Sequence, residues 1–532
     1  MSIVRSLGRA GIEVDLAWCE KGAIPASSRY VAKWVDLPLP LHRVDWCDFL
    51  ETHLRETSYD LVIPSGDLEL LPLMLRRVRL ERVARLAIPS DESFRIANDK
   101  QLSAELAGNL GISVPPWIRL LKQDDYIPGG VPIPCVLKPA SSFQLGGSVT
   151  TRRSVRHAFS VEEADAFAKE MLSDGPIAVQ SYFSGRGVGL EVLCRDGAIL
   201  VAFQHERLHE APHGSGSSYR RSVKIQPELR DAASKISAAL NYSGVMMVEF
   251  KQRSKDEWIF VEINARFWGS LPLALVSGAD FPRYLYEMQV NNVSSFDESY
   301  DVGRTARNLL QDIRWFRENW KADRNNSYLV KIGRLRSIFQ FLPLIFGRDA
   351  VDTFVRDDWR PGMREIANLA LMKLEKFRPI PPKSRSLGLP RPSSILFLCK
   401  GNICRSPFAA AAMKALSPEL QVVSAGTFPV GGRCAPDDAV LAAGRFGLGL
   451  DMELHRSQVV SAELLGRADR IVVFDPEQMA WLRVNHPEAL PKTSYLDGII
   501  ADPYGGGEAE FQSCYQRIYE LLTKYQALGA KL

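Results

Sequence analysis

Cys399 and Arg405 stand six positions apart in LCKGNICRSP, between the apolar run Ile395–Leu398 and a helical pattern over Phe408–Leu416. A strand, a five-residue loop and a helix start form an anion site, because loop amides converge on one phosphate and the helix adds its positive end. The same field stabilises a thiolate, which makes Cys399 a candidate nucleophile at neutral pH. Arg405 offers a planar fork for two phosphate oxygens, a geometry lysine cannot reproduce. Gly401 permits close approach, Asn402 can hold the shape of the loop, and the Ser406 hydroxyl can donate to the thiolate. A departing oxygen also needs a proton. Asp502, ahead of Pro503 at the end of the apolar strand in IIADPYGGG, is the candidate general acid, and afterwards the base for water.

A second constellation is spread over residues 98–270. Lys100 follows ND at a helix start, and Lys138 lies in VLKP, a strand whose lysine can point into a cleft. Gly146 and Gly147 in SSFQLGGS suit a loop that wraps phosphate oxygens with amides. In VQSYFSG, the backbone of Gln180, Ser181, Tyr182 and Phe183 can meet an adenine edge. Glu262 and Asn264 are two apart on one strand and so share a face, and Glu249 on the partner strand can join them. Three oxygen donors around one point suit Mg²⁺, and Arg266 continues that face toward a transferring phosphate. Arg207, Arg220 and Arg221, in HERLHEAPHGSGSSYRRSV, are candidates to bind a substrate carboxylate or to be plain surface arginines. His205, His209 and His213 are spaced by four, but Pro212 and Gly214 break any helix, so zinc is not expected there.

These residues must be positioned by several domains, since 532 residues at about 150 per domain suggest three to four. Hydrophobic content of 46% and charged content of 24% exclude a disordered or fibrous chain. A net charge of +4 is too mild for a dedicated nucleic-acid binder. Eight scattered cysteines fit a reducing compartment, and Arg5, Arg9, Glu13 and Asp15 interrupt any signal-peptide core. The longest suspect apolar run, SIFQFLPLIFG, is too short to span a bilayer, so a soluble, cytoplasmic protein is expected. Helices and strands alternate over 1–90, as in a parallel Rossmann-like sheet, although the chain opens on a helix, as if the start were late or the first strand lost. Residues 91–299 are rich in strands. Residues 300–392 carry 19 basic against 10 acidic residues, with amphipathic helical pieces and a Pro/Ser-rich linker, and a new domain begins at 393.

Residues 393–532 resemble a low-molecular-weight protein-tyrosine phosphatase over their whole length, through LCKGNICRSP, SAGT (Ser424–Thr427), HRSQ (His455–Gln458), RIVVFD (Arg470–Asp475) and IADPY (Ala501–Tyr504). The resemblance implies a small doubly wound parallel sheet, with Cys399 as nucleophile, Arg405 as phosphate ligand, Asn402 and Ser406 as loop supports and Asp502 as acid. It also implies a phosphocysteine intermediate without metal, and a reversible disulfide between Cys404 and Cys399 after oxidation. The sibling arsenate-reductase chemistry needs cysteines near Arg470–Val484, where there are none; Cys434 and Cys514 lie elsewhere. Tyr504 is either a wall for phosphotyrosine or a half-buried packing residue.

Residues 1–290 are similar to an ATP-grasp enzyme, which implies a Rossmann-like pre-domain followed by two α+β subdomains clamping ATP. By that likeness Lys100 and Lys138 bind ATP phosphates, Gln180–Phe183 form the adenine hinge, and Glu249, Glu262 and Asn264 hold Mg²⁺. Gln180 replaces a commonly acidic hinge residue, and Gly187 stands where an acid often holds the ribose, leaving Glu191 as a substitute. The resulting expectation is an α/β fusion in which a carboxylate–amine ligase precedes a phosphatase. Its substrates would be a carboxylate, an amine, and a phosphotyrosine protein or small phosphorylated molecule. The alternative makes the ATP-grasp half a nucleotide-sensing or scaffolding module for the phosphatase. Residues 300–392 are read as a helical appendage with solvated arginines, ahead of a platform for an anionic membrane surface.

Overall fold

The computed structural model describes residues 1–18, 23–37, 44–122, 125–126, 130–146, 149–211, 216–377, 392–428, 431–496 and 498–527. Near the N-terminus, the helix Ser2–Arg9 buries Val4 and Leu7, and strands β1 (Asp15–Trp18) and β2 (Lys33–Asp36) pair in parallel. The further strands expected at DLVIPS and LAIPS shrink to one parallel bridge, Val62 to Leu86. Pro64 and Pro89 lack the amide that would continue the ladder. Trp46, Leu50, Leu54, Leu73 and Leu80 form a small core beside this pair.

The helix expected over Glu92–Gly108 is two helices, Asp91–Asn98 and Lys100–Asn109, parted at Asp99. The Asp99 carboxylate accepts from the Gln101 and Leu102 amides, which makes Lys100 the first residue of the second helix. Strands β3 (Trp117–Leu120), β4 (Cys135–Pro139), β7 (Arg156–Ala158) and β8 (Ile177–Ser181) form an antiparallel sheet in the order β3-β8-β4-β7. A hairpin of β5 (Phe143–Gly146) and β6 (Val149–Arg152) projects from it, and the helix Val161–Ser173 covers one face.

The larger sheet has seven strands in the order β13-β12-β9-β10-β11-β14-β15. Its strands are β9 (Arg186–Arg195), β10 (Ala198–Glu210), β11 (Ser217–Val223), β12 (Gly244–Gln252), β13 (Trp258–Asn264), β14 (Thr305–Arg307) and β15 (Ala350–Val351). Alternation along the strands feeds two cores. Leu190, Val192, Met246 and Val248 meet the helix Pro227–Ala239 on one face. Phe203, Val245 and Met247 meet Leu273 and Phe281 on the other. The single helix expected over Leu271–Val290 is split into Leu271–Val276 and Phe281–Val290 at Gly278, whose φ of +98° only glycine adopts readily.

The expected boundary at 299/300 falls inside this sheet, because β14 and β15 extend it. Its arginines are also not all solvated. Arg307 is fully buried, ion-paired with Asp349 at 2.8 Å and with Asp312, its guanidinium 3.5 Å from the centre of the Tyr219 ring. Asp312 also holds His209 Nδ1 at 2.6 Å, and the His209 ring stacks on Trp315. Arg5, on the first helix, reaches across to Asp358 at 2.8 Å. Buried charges persist only when paired in this way, and a local count of basic residues does not reveal the pairs.

The C-terminal unit is a parallel sheet in the order β17-β16-β18-β19, with β16 (Ser394–Cys399), β17 (Gln421–Gly426), β18 (Arg470–Val473) and β19 (Thr493–Tyr495). Ile395, Phe397 and Cys399 face a core built with the helices Arg405–Leu416 and Glu508–Ala527. Leu396 and Leu398 face another built with the helix Pro476–Asn485. Helices on both faces of a parallel sheet match the doubly wound expectation. The helix Arg360–Phe377 rests against Pro476–Asn485 and so links the two halves. Among the described residues no helix is long and apolar enough to cross a membrane.

Candidate active sites

Cys399 ends β16, and the chain turns directly into a helix that starts at Arg405, three residues before the expected Phe408. Pro407 is accommodated because the first-turn amides have no intrahelical partner. The Cys399 Sγ lies 3.0 Å from the Ser406 hydroxyl and accepts from the Asn402 amide at 3.2 Å. Asn402 adopts φ +52°, the left-handed region, and its side chain fixes the loop. Its Nδ2 donates to Ser406 at 2.9 Å and to Ser424 at 2.8 Å, while its Oδ1 accepts from the Gln458 amide at 2.8 Å. Its carbonyl accepts from His455 Nε2 at 2.7 Å, and burial lowers the pKa of that imidazole, favouring the neutral ring. Gly426 lies so close beneath the loop that a Cβ there would come within 2.8 Å of the Lys400 carbonyl oxygen.

Arg405 is almost wholly buried. Its Nη1 donates to Asp475 and to the Ile500 carbonyl, both at 2.8 Å, and its Nη2 is 2.9 Å from the Asp502 carboxylate. Burial opposes the guanidinium charge, but Asp502, Cys399 and Asp475 outweigh it and raise its pKa. Asp502 stands on a loop rather than at a strand end, β19 having closed at Tyr495. Its carboxylate is partly exposed, and one guanidinium connects it to the cysteine loop. Cys404 is buried, which pushes its thiol well above the usual range. Tyr504 is 62% exposed, which removes the half-buried packing reading. Asp475, Ser424, His455 and Gln458 received no individual role from the sequence, although each lies in a segment that carried the resemblance. Arg433 was missed altogether; its Nη2 donates to the Gly401 carbonyl at 2.6 Å.

In the N-terminal half, β12 and β13 place Glu249 directly opposite Glu262, so both carboxylates share one face as expected. The Asn264 amide donates to Glu249 at 2.9 Å. Lys100 pairs with Glu262, and Arg207 with Glu249 at 2.6 Å. Burial works against the Glu262 charge, but Lys100, Lys138 and Arg266 overcome it and hold the group ionised. Burial, reinforced by Lys100, lowers the Lys138 ammonium to about 8. Two carboxylates and an amide oxygen are a hard-oxygen set that fits a magnesium ion. Among the described residues no group of three His, Cys, Asp or Glu is placed to hold a metal.

Other expected residues are placed differently. Arg220 is buried and doubly bonded to Asp352 at 2.8 and 2.6 Å, with a further bond to the Gly269 carbonyl, so it is not free for a substrate carboxylate. Arg221 pairs with Glu206, and Arg266 is bidentate on Asp67 at 2.8 and 2.9 Å. In the hinge, Gln180 is buried, and the amides of Ser181 and Tyr182 already donate to the Pro116 and Pro134 carbonyls. The Tyr182 hydroxyl donates to the Tyr328 carbonyl at 2.6 Å, and the Arg253 guanidinium lies 4.6 Å from the centre of the Phe183 ring. Glu191 is fully buried, 2.6 Å from His205 Nδ1 and bonded to Ser270, and so is sealed away from a ribose. Gly147 and His213 lie outside the described residues.

Residues 394–531 match the family model for low molecular weight phosphotyrosine protein phosphatases, and residues 173–307 that for an ATP-grasp in the biosynthetic pathway with Ter operon. A probable low molecular weight protein-tyrosine-phosphatase, EpsP, of Ralstonia nicotianae is 34% identical over 129 residues, which is 24% of this chain and 88% of that protein. A protein-arginine-phosphatase of Geobacillus stearothermophilus is 31% identical over 141 residues, 25% of this chain and 93% of that protein. A biotin carboxylase of Campylobacter jejuni, solved with β,γ-ATP, superposes on 57% of this chain and 71% of its own, with 16% identity and a TM-score of 0.47.

Proposed function

The chain belongs, through residues 394–531, to the low molecular weight phosphotyrosine protein phosphatase family, and from that premise we propose that it hydrolyses phosphomonoesters of the phosphotyrosine type through Cys399. The Cys399 sulfur attacks phosphorus and forms a phosphocysteine. The loop amides and the Arg405 fork hold the equatorial oxygens. Asp502 gives its proton to the departing phenolic oxygen, then takes one from the water that releases phosphate. Ser406 and Asn402 steady the thiolate, and Tyr504 flanks the entrance. The observation that carries this reading is the convergence of the Ser406 hydroxyl and Asn402 amide on one sulfur, with Arg405 bridging to Asp502 at 2.9 Å.

Cys399→Ser is expected to lose on the order of 10⁴-fold or more in p-nitrophenyl phosphate turnover. Asp502→Asn should slow phenyl phosphate far more than p-nitrophenyl phosphate, whose leaving group needs less protonation. Rapid quench should find phosphoprotein in wild type and none in Cys399→Ser. Retained turnover in that variant sinks the assignment. Phosphotyrosine peptides left intact beside hydrolysed phosphoarginine peptides would move the substrate class, not the nucleophile.

For the ATP-grasp half, the reading is an ATP-dependent carboxylate–amine ligase. Lys100 and Lys138 hold the nucleotide phosphates, Gln180–Phe183 border the adenine, and Glu249, Glu262 and Asn264 would hold magnesium. When bound, magnesium neutralises charge on the phosphates. Lys100 and Arg207 are the cations paired with the two carboxylates, Arg266 adds a further positive charge beside them, and Arg207 would be released from Glu249 on loading. A sensing or scaffolding module is the second reading, favoured by the pairing of both carboxylates with protein cations. ADP release with a carboxylate and amine panel separates the two.

A further inference from the structure

Residues 331–348, KIGRLRSIFQFLPLIFGR, contain four basic and no acidic residues. They fold as two short helices, Arg334–Phe339 and Leu342–Ile345, whose polarity is inverted relative to a packed element. Ser337 is the buried residue of the first helix. The Trp320 indole donates to its hydroxyl at 3.3 Å, and that hydroxyl in turn donates to the Arg334 carbonyl at 2.6 Å. The Gln340 carbonyl accepts from the fully buried Arg307, and its side chain contacts His209 Nε2 at 2.9 Å. Phe341 turns inward onto Arg307 and Phe316, but other large apolar side chains turn outward: Leu335 and Ile345 are each 73% exposed, Phe346 71% and Phe339 64%. Ile338 and Leu342 are exposed as well. An inner side anchored by Ser337, Gln340 and Phe341 to the buried Arg307 network means that this apolar outer side is held out in water by the packing itself, not by loose packing.

Cations surround it. Arg336 and Arg348 have no carboxylate partner among the described residues, and Arg334 lies on the Trp320 ring face, 5.7 Å from its centre. Beside the patch opens a cavity of about 530 Å³, lined in part by Arg186, Arg221, Lys331, Arg336, Phe339 and Pro343. Glu206 pairs with both Arg186 and Arg221 and offsets part of this charge. An apolar wedge with a ring of cations is complementary to an anionic bilayer, whose acyl region takes the wedge and whose headgroups take the arginines.

We propose that residues 334–348 are a membrane-docking element that binds anionic bilayer surfaces peripherally, with the adjacent basic cavity receiving a lipid headgroup. The protein lies on the membrane and does not span it. Docking is independent of the phosphatase loop and of the Glu249–Glu262 pair.

The test is co-sedimentation of the full chain with vesicles of phosphatidylcholine alone or with 30% phosphatidylglycerol, in about 0.1 M salt. Wild type should pellet with the anionic vesicles and stay mostly in solution with the neutral ones. The charge variant Arg334→Glu/Arg336→Glu and the wedge variant Ile345→Ser/Phe346→Ser should each lose roughly tenfold or more in lipid partitioning, in keeping with the contributions of charge and acyl contact. Both should keep wild-type thermal midpoints and p-nitrophenyl phosphate turnover, which separates lost docking from lost folding. The proposal is overturned if wild type stays in the supernatant with anionic vesicles, or if both variants bind like wild type. It is also overturned if the patch drives dimerisation without lipid, assigning it to a second copy.

Discussion

The two candidate anion sites of this chain are built in opposite ways. In the C-terminal unit the loop, the helix start and the nucleophile occupy eight consecutive residues, Cys399–Ser406, and the groups that touch the sulfur are a backbone amide and a neutral hydroxyl. In the N-terminal half the candidate groups lie on β4, β10, β12, β13 and the helix Lys100–Asn109, up to 164 residues apart between Lys100 and Asn264. There the charges neutralise one another: Lys100 sits on Glu262 and Arg207 on Glu249. The first site is preorganised for an anion and needs little rearrangement. On the proposed reading the second would exchange internal ion pairs for ligand contacts, which would make its affinity depend on pH and metal.

That contrast can be broken at Arg405. Arg405→Lys keeps the charge but not the fork, and hydrolysis is expected to fall about 10²–10³-fold, as for loss of one transition-state donor. Steady-state kcat on p-nitrophenyl phosphate measures this, and a near-wild-type rate would show that charge alone suffices. On the other side, Glu262→Gln removes a proposed metal ligand and the partner of Lys100. Mg-ATP binding, followed by calorimetry, should weaken about tenfold or more, while metal-free nucleotide binding changes less. Equal losses with and without magnesium would assign Glu262 to the lysine alone. The smallest effect concerns Lys138. With its ammonium lowered to about 8, raising the pH from 7 to 9 discharges it and weakens nucleotide binding by several-fold to about tenfold. Lys138→Arg should flatten that profile, because a guanidinium stays charged across this range.

The C-terminal site was legible because its chemistry is local: a strand, a cysteine, an arginine and a helix start are adjacent in the chain. Even there the helix begins earlier than the apolar pattern suggested, since Arg405 and Ser406 face the loop instead of the core. The Glu249–Glu262 face was legible from strand alternation. Arg220 was not, because its partner Asp352 lies 132 residues away and no local pattern announces the pair. Arg307 with Asp349 was hidden for the same reason. In residues 300–392 the excess of basic residues suggested a solvated surface, whereas among the described ones Arg307 is buried and paired while Arg336 and Arg348, without a carboxylate partner, flank an apolar patch.

The braces from Arg5 to Asp358 and from Arg220 to Asp352 carry a practical consequence for dissecting the gene. A fragment stopping near residue 300 would leave two guanidiniums stranded in apolar surroundings and two sheet strands missing. Recombination that exchanges one half for another has its natural cut beyond Phe377, and anything grafted there inherits a neighbour whose first helix is already clasped by its own far end.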